Sequence, residues 1–427
     1  MTTLNRTIAP ELQQISKPDY IAPEEILWSN GIKIYATKAG REEMMRIDWT
    51  FRAGDYHQNK ALVANLTTAM LQLGSTKYSS REIAEIFDFH GAYIHTSCAH
   101  HNAVVSLICL KKHLNELLPV LEDLIKNANF PEKEFTNLIN RRKQRFSVEM
   151  EKVKTICQKE FSKALFGENH PYTLGVKFED FDQVLLSDLK RFYQDYYHSA
   201  NCELQLVGQY DQDTLRLLEE RFGGNDWSGT ASDTKTFEVH SSTEKVIRLS
   251  KPDSIQSAIR IGKIFVDRTH SDYFDLKIMT ALLGGYFGSR LMSNIREDKG
   301  YTYGIGAGYV NNLDASYFLI STEVDKEYEL ETLKEINFEI ERLQTELVGE
   351  DELHALKQYL TGEFLRNLDG AFQQLAAFRN LHQFGLDYSH YDRYFNRISS
   401  IGAEDIMRVA NMHLQLDSLI TVIAGKD

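Results

Sequence analysis

The chain has 427 residues, more than the roughly 100 to 200 of a typical domain, so two or three cores are expected rather than one. Hydrophobic residues at 42% and charged residues at 26% are ordinary for a soluble globular protein and exclude a disordered chain. Lys plus Arg number 48 against 61 for Asp plus Glu, and the net charge of -13 argues against nucleic acid and anionic lipid as partners.

The first twenty residues carry neither a basic start nor an apolar run, and no later stretch approaches the ~18 apolar residues of a membrane span. A cytoplasmic location is expected. Cys98, Cys109, Cys157 and Cys202 show no C-x-x-C spacing, which suits a reduced compartment. In chain order, β-branched and aromatic residues predict strands at Met45–Arg52, Ala103–Leu110 and Tyr317–Thr322. Apolar residues recurring at three and four predict helices at Ala61–Leu73, Ser80–Phe89, Leu114–Lys126 and a long run Pro131–Leu165. The same spacing predicts helices at Tyr273–Leu283, Lys326–Thr345 and Glu350–Leu368.

The chain also resembles itself. Ser187 to Asp211 is an amphipathic helix, a short loop and an apolar strand closing on Gly then Asp, and the last residues, from Glu404 to Asp427, repeat it. Asp188 matches Asp405 and Gly208 matches Gly425 at one offset, close to half the chain length. Between the copies, Gly223–Thr236 is rich in Gly, Ser, Thr and Asp and reads as a linker. The expected organisation is a domain over 1–222, a linker over 223–240 and a second domain over 241–427. The fold class is α+β, each domain a mixed, mostly antiparallel sheet packed with helices.

Four stretches carry a resemblance over nearly the whole chain: Ala61–Ala92, Leu165–Gly175, Arg191–Gly208 and, most specifically, GSRLMSNIREDKGYTYGIGA at Gly288–Ala307. They are similar to the insulinase or pitrilysin type of inverzincin metallopeptidase, in the short two-domain form of mitochondrial processing peptidase subunits. The resemblance implies two homologous domains facing each other across a chamber.

In that family H-x-x-E-H on a helix puts two imidazoles one turn apart on one metal, with the Glu as general base. The three positions fall here on Asn65, Thr68 and Ala69, none of which suits zinc, and the third ligand falls at Phe146, with Glu149 three residues away. No metal is expected on this chain. The remaining metal candidate is Cys98 with His100 on one strand face, near His95 and His101, and its plainer reading is a half-exposed strand. The family's second domain supplies an Arg and a Tyr in a pattern like R-x-x-x-G-x-x-Y, which fall on Arg296 and Tyr303 around Gly300. By the resemblance Arg296 positions a peptide and Tyr303 steadies the oxyanion. The plainer reading has Arg296 paired with Glu297 or Asp298, and Tyr301, Tyr303 and Tyr309 on a sheet's aromatic face. Gly284, Gly285 and Gly288 do not form a phosphate loop and are expected to let a helix and a loop approach closely.

The expected function is the zinc-free subunit of a two-chain peptidase acting on unfolded peptides, with zinc on a homologous partner chain; self-association is the alternative pairing. Two other readings stand beside it: a non-catalytic assembly protein of the same fold, and an autonomous peptidase with a metal site rebuilt around Cys98 and His100.

Overall fold

The computed structural model describes residues 17, 19–173, 175–231 and 235–426. The fold is α+β, with two sheets. Strands β1 (Glu24–Leu27), β2 (Lys33–Lys38), β3 (Met44–Phe51), β4 (Tyr93–Cys98), β5 (Ala103–Leu110) and β6 (Cys202–Gly208) form a six-stranded sheet in the order β1-β2-β6-β3-β5-β4. Strands β7 (Val246–Ser250), β8 (Gln256–Phe265), β9 (Ile305–Asn311), β10 (Ser316–Asp325) and β11 (Ile420–Gly425) form a five-stranded sheet in the order β7-β11-β8-β10-β9.

Without β1, the first order is the second: β2 and β6 are parallel, as are β7 and β11, and every other pairing is antiparallel. The repeated helices, Leu186–Tyr196 and Ala403–His413, keep the offset of Gly208 and Gly425 at both ends. Each starts on the same device, since Asp188 accepts from the Leu185 N–H and Asp405 from the Gly402 N–H, both at 2.9 Å. A short carboxylate three residues into a helix satisfies an N–H that no helical carbonyl reaches.

Strand alternation decides which face each sheet buries. Along β3, Met45, Ile47, Trp49 and Phe51 are fully buried in the first core, while Arg46, Asp48 and Thr50 point to the other face. That other face is closed by a helix from the far half of the chain. Ala371–His382 lays Leu375 against Ala39 and Val207, and its Arg379 Nη1 donates to Asp48 Oδ2 at 2.7 Å. His382 Nε2 lies 2.8 Å from Glu203 Oε2. Helix Val153–Phe166 does the reciprocal job: Cys157, Phe161 and Ala164 pack with Ala258, Val422 and Ala424 of the second sheet, and the Cys157 thiol donates to the Val422 carbonyl at 3.3 Å. The repeats thus exchange equivalent helices.

This exchange explains a correction. The long helix expected over Pro131–Leu165 is two helices, Glu132–Met150 and Val153–Phe166, broken where Lys152 turns extended. The apolar periodicity runs through the break because both pieces bury a face, but on different partners. The expected linker is also partly packed. Trp227 is buried in the first core with its indole N–H on the Phe222 carbonyl at 3.1 Å, and Phe237 and Val239 pack in the cluster that helix Val153–Phe166 forms with the second sheet. Residues 232–234 of that segment lie outside the described residues. Among the described residues no helix is long and apolar enough to cross a membrane.

Candidate functional site

Helix Val63–Met70 carries the zinc-motif positions, entered through Leu62 at a positive φ of 73° and capped by Gln58 Oε1 on the Ala64 N–H at 3.1 Å. Val63, Leu66 and Met70 anchor it in the first core; Asn65 and Ala69, one turn apart, are half-buried, whereas Thr68 is buried. The side chains at these positions are already engaged. The Arg142 guanidinium, from helix Glu132–Met150, donates to Asn65 Oδ1. The Thr68 hydroxyl lies 2.8 Å from the Ala64 carbonyl and 2.7 Å from the Tyr197 phenol. Arg142 stands one turn before Phe146, whose ring packs on Phe181 at 5.3 Å under the Lys159 ammonium. Glu149 is turned to Lys152 at 2.8 Å.

Cys98 and His100 do not form a ligand pair. Strand β4 ends at Cys98, and His100 lies in the following turn with its Nδ1 2.9 Å from Asp55 Oδ1. Burial, then the Asp55 carboxylate, push the Cys98 thiol up to about 12, with Thr68 and Arg142 pulling weakly the other way. A thiol so high stays protonated at neutral pH, and only the thiolate acts as a nucleophile. His101 Nε2 lies 2.5 Å from the Tyr172 phenol, which also receives the Asp314 N–H at 3.1 Å from the second half. Burial holds His101 down to about 4, so it serves as a neutral member of an aromatic joint with Tyr56, Tyr172 and Phe237. His170 stacks on Phe166 in the same joint, and His95 is exposed. Among the described residues no group of three or more His, Cys, Asp or Glu side chains could hold a metal ion.

The second half presents the Arg/Tyr pair differently. A π-helical turn over Met292–Asp298 carries Arg296, and Gly300 at φ +69° turns the chain back toward β9. Close approach of backbone is needed just upstream, where a Cβ on Gly284 would sit 2.4 Å from the Ala307 nitrogen. Arg296 donates from Nη1 to Glu297 Oε1 at 2.7 Å and lies over the Phe287 ring at 4.7 Å. The loop beyond is pinned just before Tyr303. Tyr301 stacks on Tyr328 at 4.7 Å, and the Thr302 hydroxyl donates to the Glu323 carbonyl at 2.7 Å. Tyr303 itself is 95% exposed. The plainer reading of Arg296 as paired with Glu297 therefore describes its present contact, whereas of Tyr301, Tyr303 and Tyr309 only Tyr309 lies in a strand.

Arg142 is the residue that sequence reasoning missed. Its signal was the Arg141-Arg142-Lys143 run on the helix that should carry the third ligand, one turn before the ligand position itself.

Two family models match the chain: "Insulinase (Peptidase family M16)" over residues 41–174 and "Peptidase M16 inactive domain" over residues 184–360. The chain is 23% identical over 404 residues to the Bacillus subtilis (strain 168) protein named uncharacterized zinc protease YmxG, covering 92% of this chain and 96% of that protein. It is 24% identical over 406 residues to the Helicobacter pylori protein named non-peptidase homolog YmxG, covering 89% of this chain and 88% of that one. A crystal structure described as a peptidase M16 inactive domain from Pseudomonas fluorescens shares the fold with a TM-score of 0.86 at 22% identity, over 95% of this chain and 98% of that one.

The zinc that this family implies does not fit here. A guanidinium occupies the amide at the first ligand position, and a bonded hydroxyl and a methyl replace the other two groups. The chain belongs to peptidase family M16, the insulinase family, as a member without the zinc-binding motif.

Proposed function

We propose that this chain is the zinc-free subunit of a two-chain M16 peptidase. Residues 1–222 and 241–427 act as its two domains across a substrate chamber, joined by 223–240. The zinc belongs to a homologous partner chain, and this chain lends Arg296 and Tyr303. The observation that carries the reading is the outward display of Tyr303, 95% exposed on a loop whose neighbours Tyr301 and Thr302 are both anchored. A phenol held out in this way can donate to an oxygen that becomes negative during attack on an amide. Arg296, leaning on Phe287, can exchange Glu297 for a peptide carbonyl or carboxylate. Substrates are extended, unfolded peptides.

The test is capture of the full chain from its own cells under gentle conditions, followed by native mass spectrometry with elemental analysis. A second chain of similar size carrying zinc supports the reading. Within that assembly Tyr303→Phe is expected to lower peptide hydrolysis by about 10²- to 10³-fold, the usual cost of one oxyanion donor. The second reading, a non-catalytic assembly protein, is favoured by the existing Arg296–Glu297 pair. It predicts binding without turnover, and unchanged activity of the complex in Arg296→Ala and Tyr303→Phe.

A further inference from the structure

The second half encloses a cavity of about 430 Å³ that the proposed peptidase role leaves unused. It lies between helix Tyr273–Thr280, strand β9 and the three helices Glu350–Arg366, Ala371–His382 and Tyr388–Ser400. This size falls within the range of roughly 300 to 1,000 Å³ typical of small-molecule sites. Aromatic rings form part of its wall, among them Tyr273, Phe274, Tyr309, Phe364 and Tyr394.

Its polar groups are out of balance. Arg268 and Lys277 face a single carboxylate, Glu363. The half-buried Lys277 makes no hydrogen bond or ion pair among the described residues, and its ammonium rests 4.0 Å from the centre of the Tyr394 ring. Arg268 lies over Phe384 at 3.9 Å and spends Nη1 on Asn380 Oδ1 at 2.7 Å, leaving its Nε buried without a partner. His390 is 4% exposed, and its Nδ1 is likewise unpartnered. Burial, then the charges of Arg268 and Arg393, hold His390 down to about 4, so it stays neutral at pH 7. Burial, then Arg268, hold the Lys277 amine down to about 8, with Glu363 pulling the other way. A desolvated cation without a counter-ion is costly, and an incoming anion relieves that cost.

We propose that this cavity binds a small organic carboxylate whose acid group is flanked by an aromatic or branched apolar group. Lys277 and Arg268 hold the carboxylate, and the tyrosine and phenylalanine rings hold the apolar part. One unneutralised positive charge suits a monoanion better than a phosphate dianion, which Glu363 would repel. A free N-acyl amino acid and the C-terminal residue of a peptide present the same chemistry.

Isothermal titration calorimetry of the full-length protein tests this with N-acetyl-L-phenylalanine, its amide, and a blocked tetrapeptide ending in a free-acid phenylalanine. The acid is expected to bind and the amide to fail, while the tetrapeptide distinguishes the sources. Binding of both acids assigns the cavity to peptide C-termini, and binding of the small acid alone assigns it to free acids. Lys277→Met, checked for an unchanged melting profile, is expected to weaken binding at least about tenfold. A second readout needs no variant: binding at pH 8 takes up a proton as the carboxylate raises the amine, seen by comparing buffers of different ionisation enthalpy. Affinity then falls about tenfold from pH 7 to 9 as free Lys277 deprotonates. The other groups facing Lys277 are Arg268, Glu363, His390 and the tyrosines; burial keeps His390 neutral in that window and raises Tyr273, Tyr309, Tyr391 and Tyr394. Equal binding of the amide, no binding at millimolar concentration, or binding without proton uptake overturns the proposal.

Discussion

Arg379→Met probes the helix exchange directly. Asp48 is fully buried on the outer face of β3, where it accepts from Arg46 Nε at 3.0 and 3.2 Å and from Arg379 Nη1 at 2.7 Å. Arg46 lies in the same strand, so among the described residues only Arg379 ties this carboxylate to the helix from the far half. Stripping a buried charge of its partner typically costs ~3–5 kcal/mol. Because Arg46 remains and both arginines keep some water contact, with side chains 28% and 32% exposed, we expect about half of that, ~2 kcal/mol. The assay is urea unfolding followed by circular dichroism and by tryptophan fluorescence, which reports the first core through Trp49 and Trp227. A chain with several cores need not unfold in one step, so the first transition is the one compared. In a double-mutant cycle Asp48→Asn combined with Arg379→Met should cost ~1–2 kcal/mol less than the sum of the singles. A single-variant change below ~0.5 kcal/mol, or strict additivity, would falsify the claim that this ion pair fastens the exchanged helix.

Other outcomes follow from the lost metal site and the buried titratable groups. Restoring the motif with Asn65→His, Thr68→Glu, Ala69→His and Phe146→Glu is expected to leave zinc unbound while Arg142 stays, and to permit binding once Arg142→Ala is added; elemental analysis after dialysis reads both. Burial pushes the thiols of Cys98, Cys109 and Cys157 up to about 12, so at pH 8 their alkylation by iodoacetamide should run about a thousandfold slower than for a free cysteine, as followed by intact mass. Rapid labelling of the folded chain at Cys98 would contradict its placement. His101 is held down to about 4 in the folded chain, so the unfolded chain binds the proton first as pH drops. Stability should therefore fall from pH 6.5 toward 4, and His101→Asn should flatten that decline in urea midpoints taken across the range.

Much of the architecture was legible along the chain. Ser80–Phe89, Leu114–Lys126 and Ala103–Leu110 have the expected bounds, because each pairs a clean period with a clear stop. The duplication was visible in one helix–loop–strand unit, and the sheet orders repeat it. The broken Pro131–Leu165 run was not legible, since a period records that a face is buried and is silent about which sheet buries it. The candidate site divides in the same way. That Asn65, Thr68 and Ala69 cannot bind zinc follows from their chemistry alone, whereas the Arg142 guanidinium on Asn65 required two helices to be brought together.

By itself, then, the sequence determined the element types, the repeat, the family and the absence of a zinc motif, because these depend on residue type and short-range spacing. Only the tertiary structure decided the exchange of equivalent helices between sheets, the protonated state of Cys98, the outward display of Tyr303 and the unpartnered Lys277 in its aromatic cavity. Each of these arises from residues far apart in the chain meeting at a given distance with a given share of water, and local periodicity carries neither quantity.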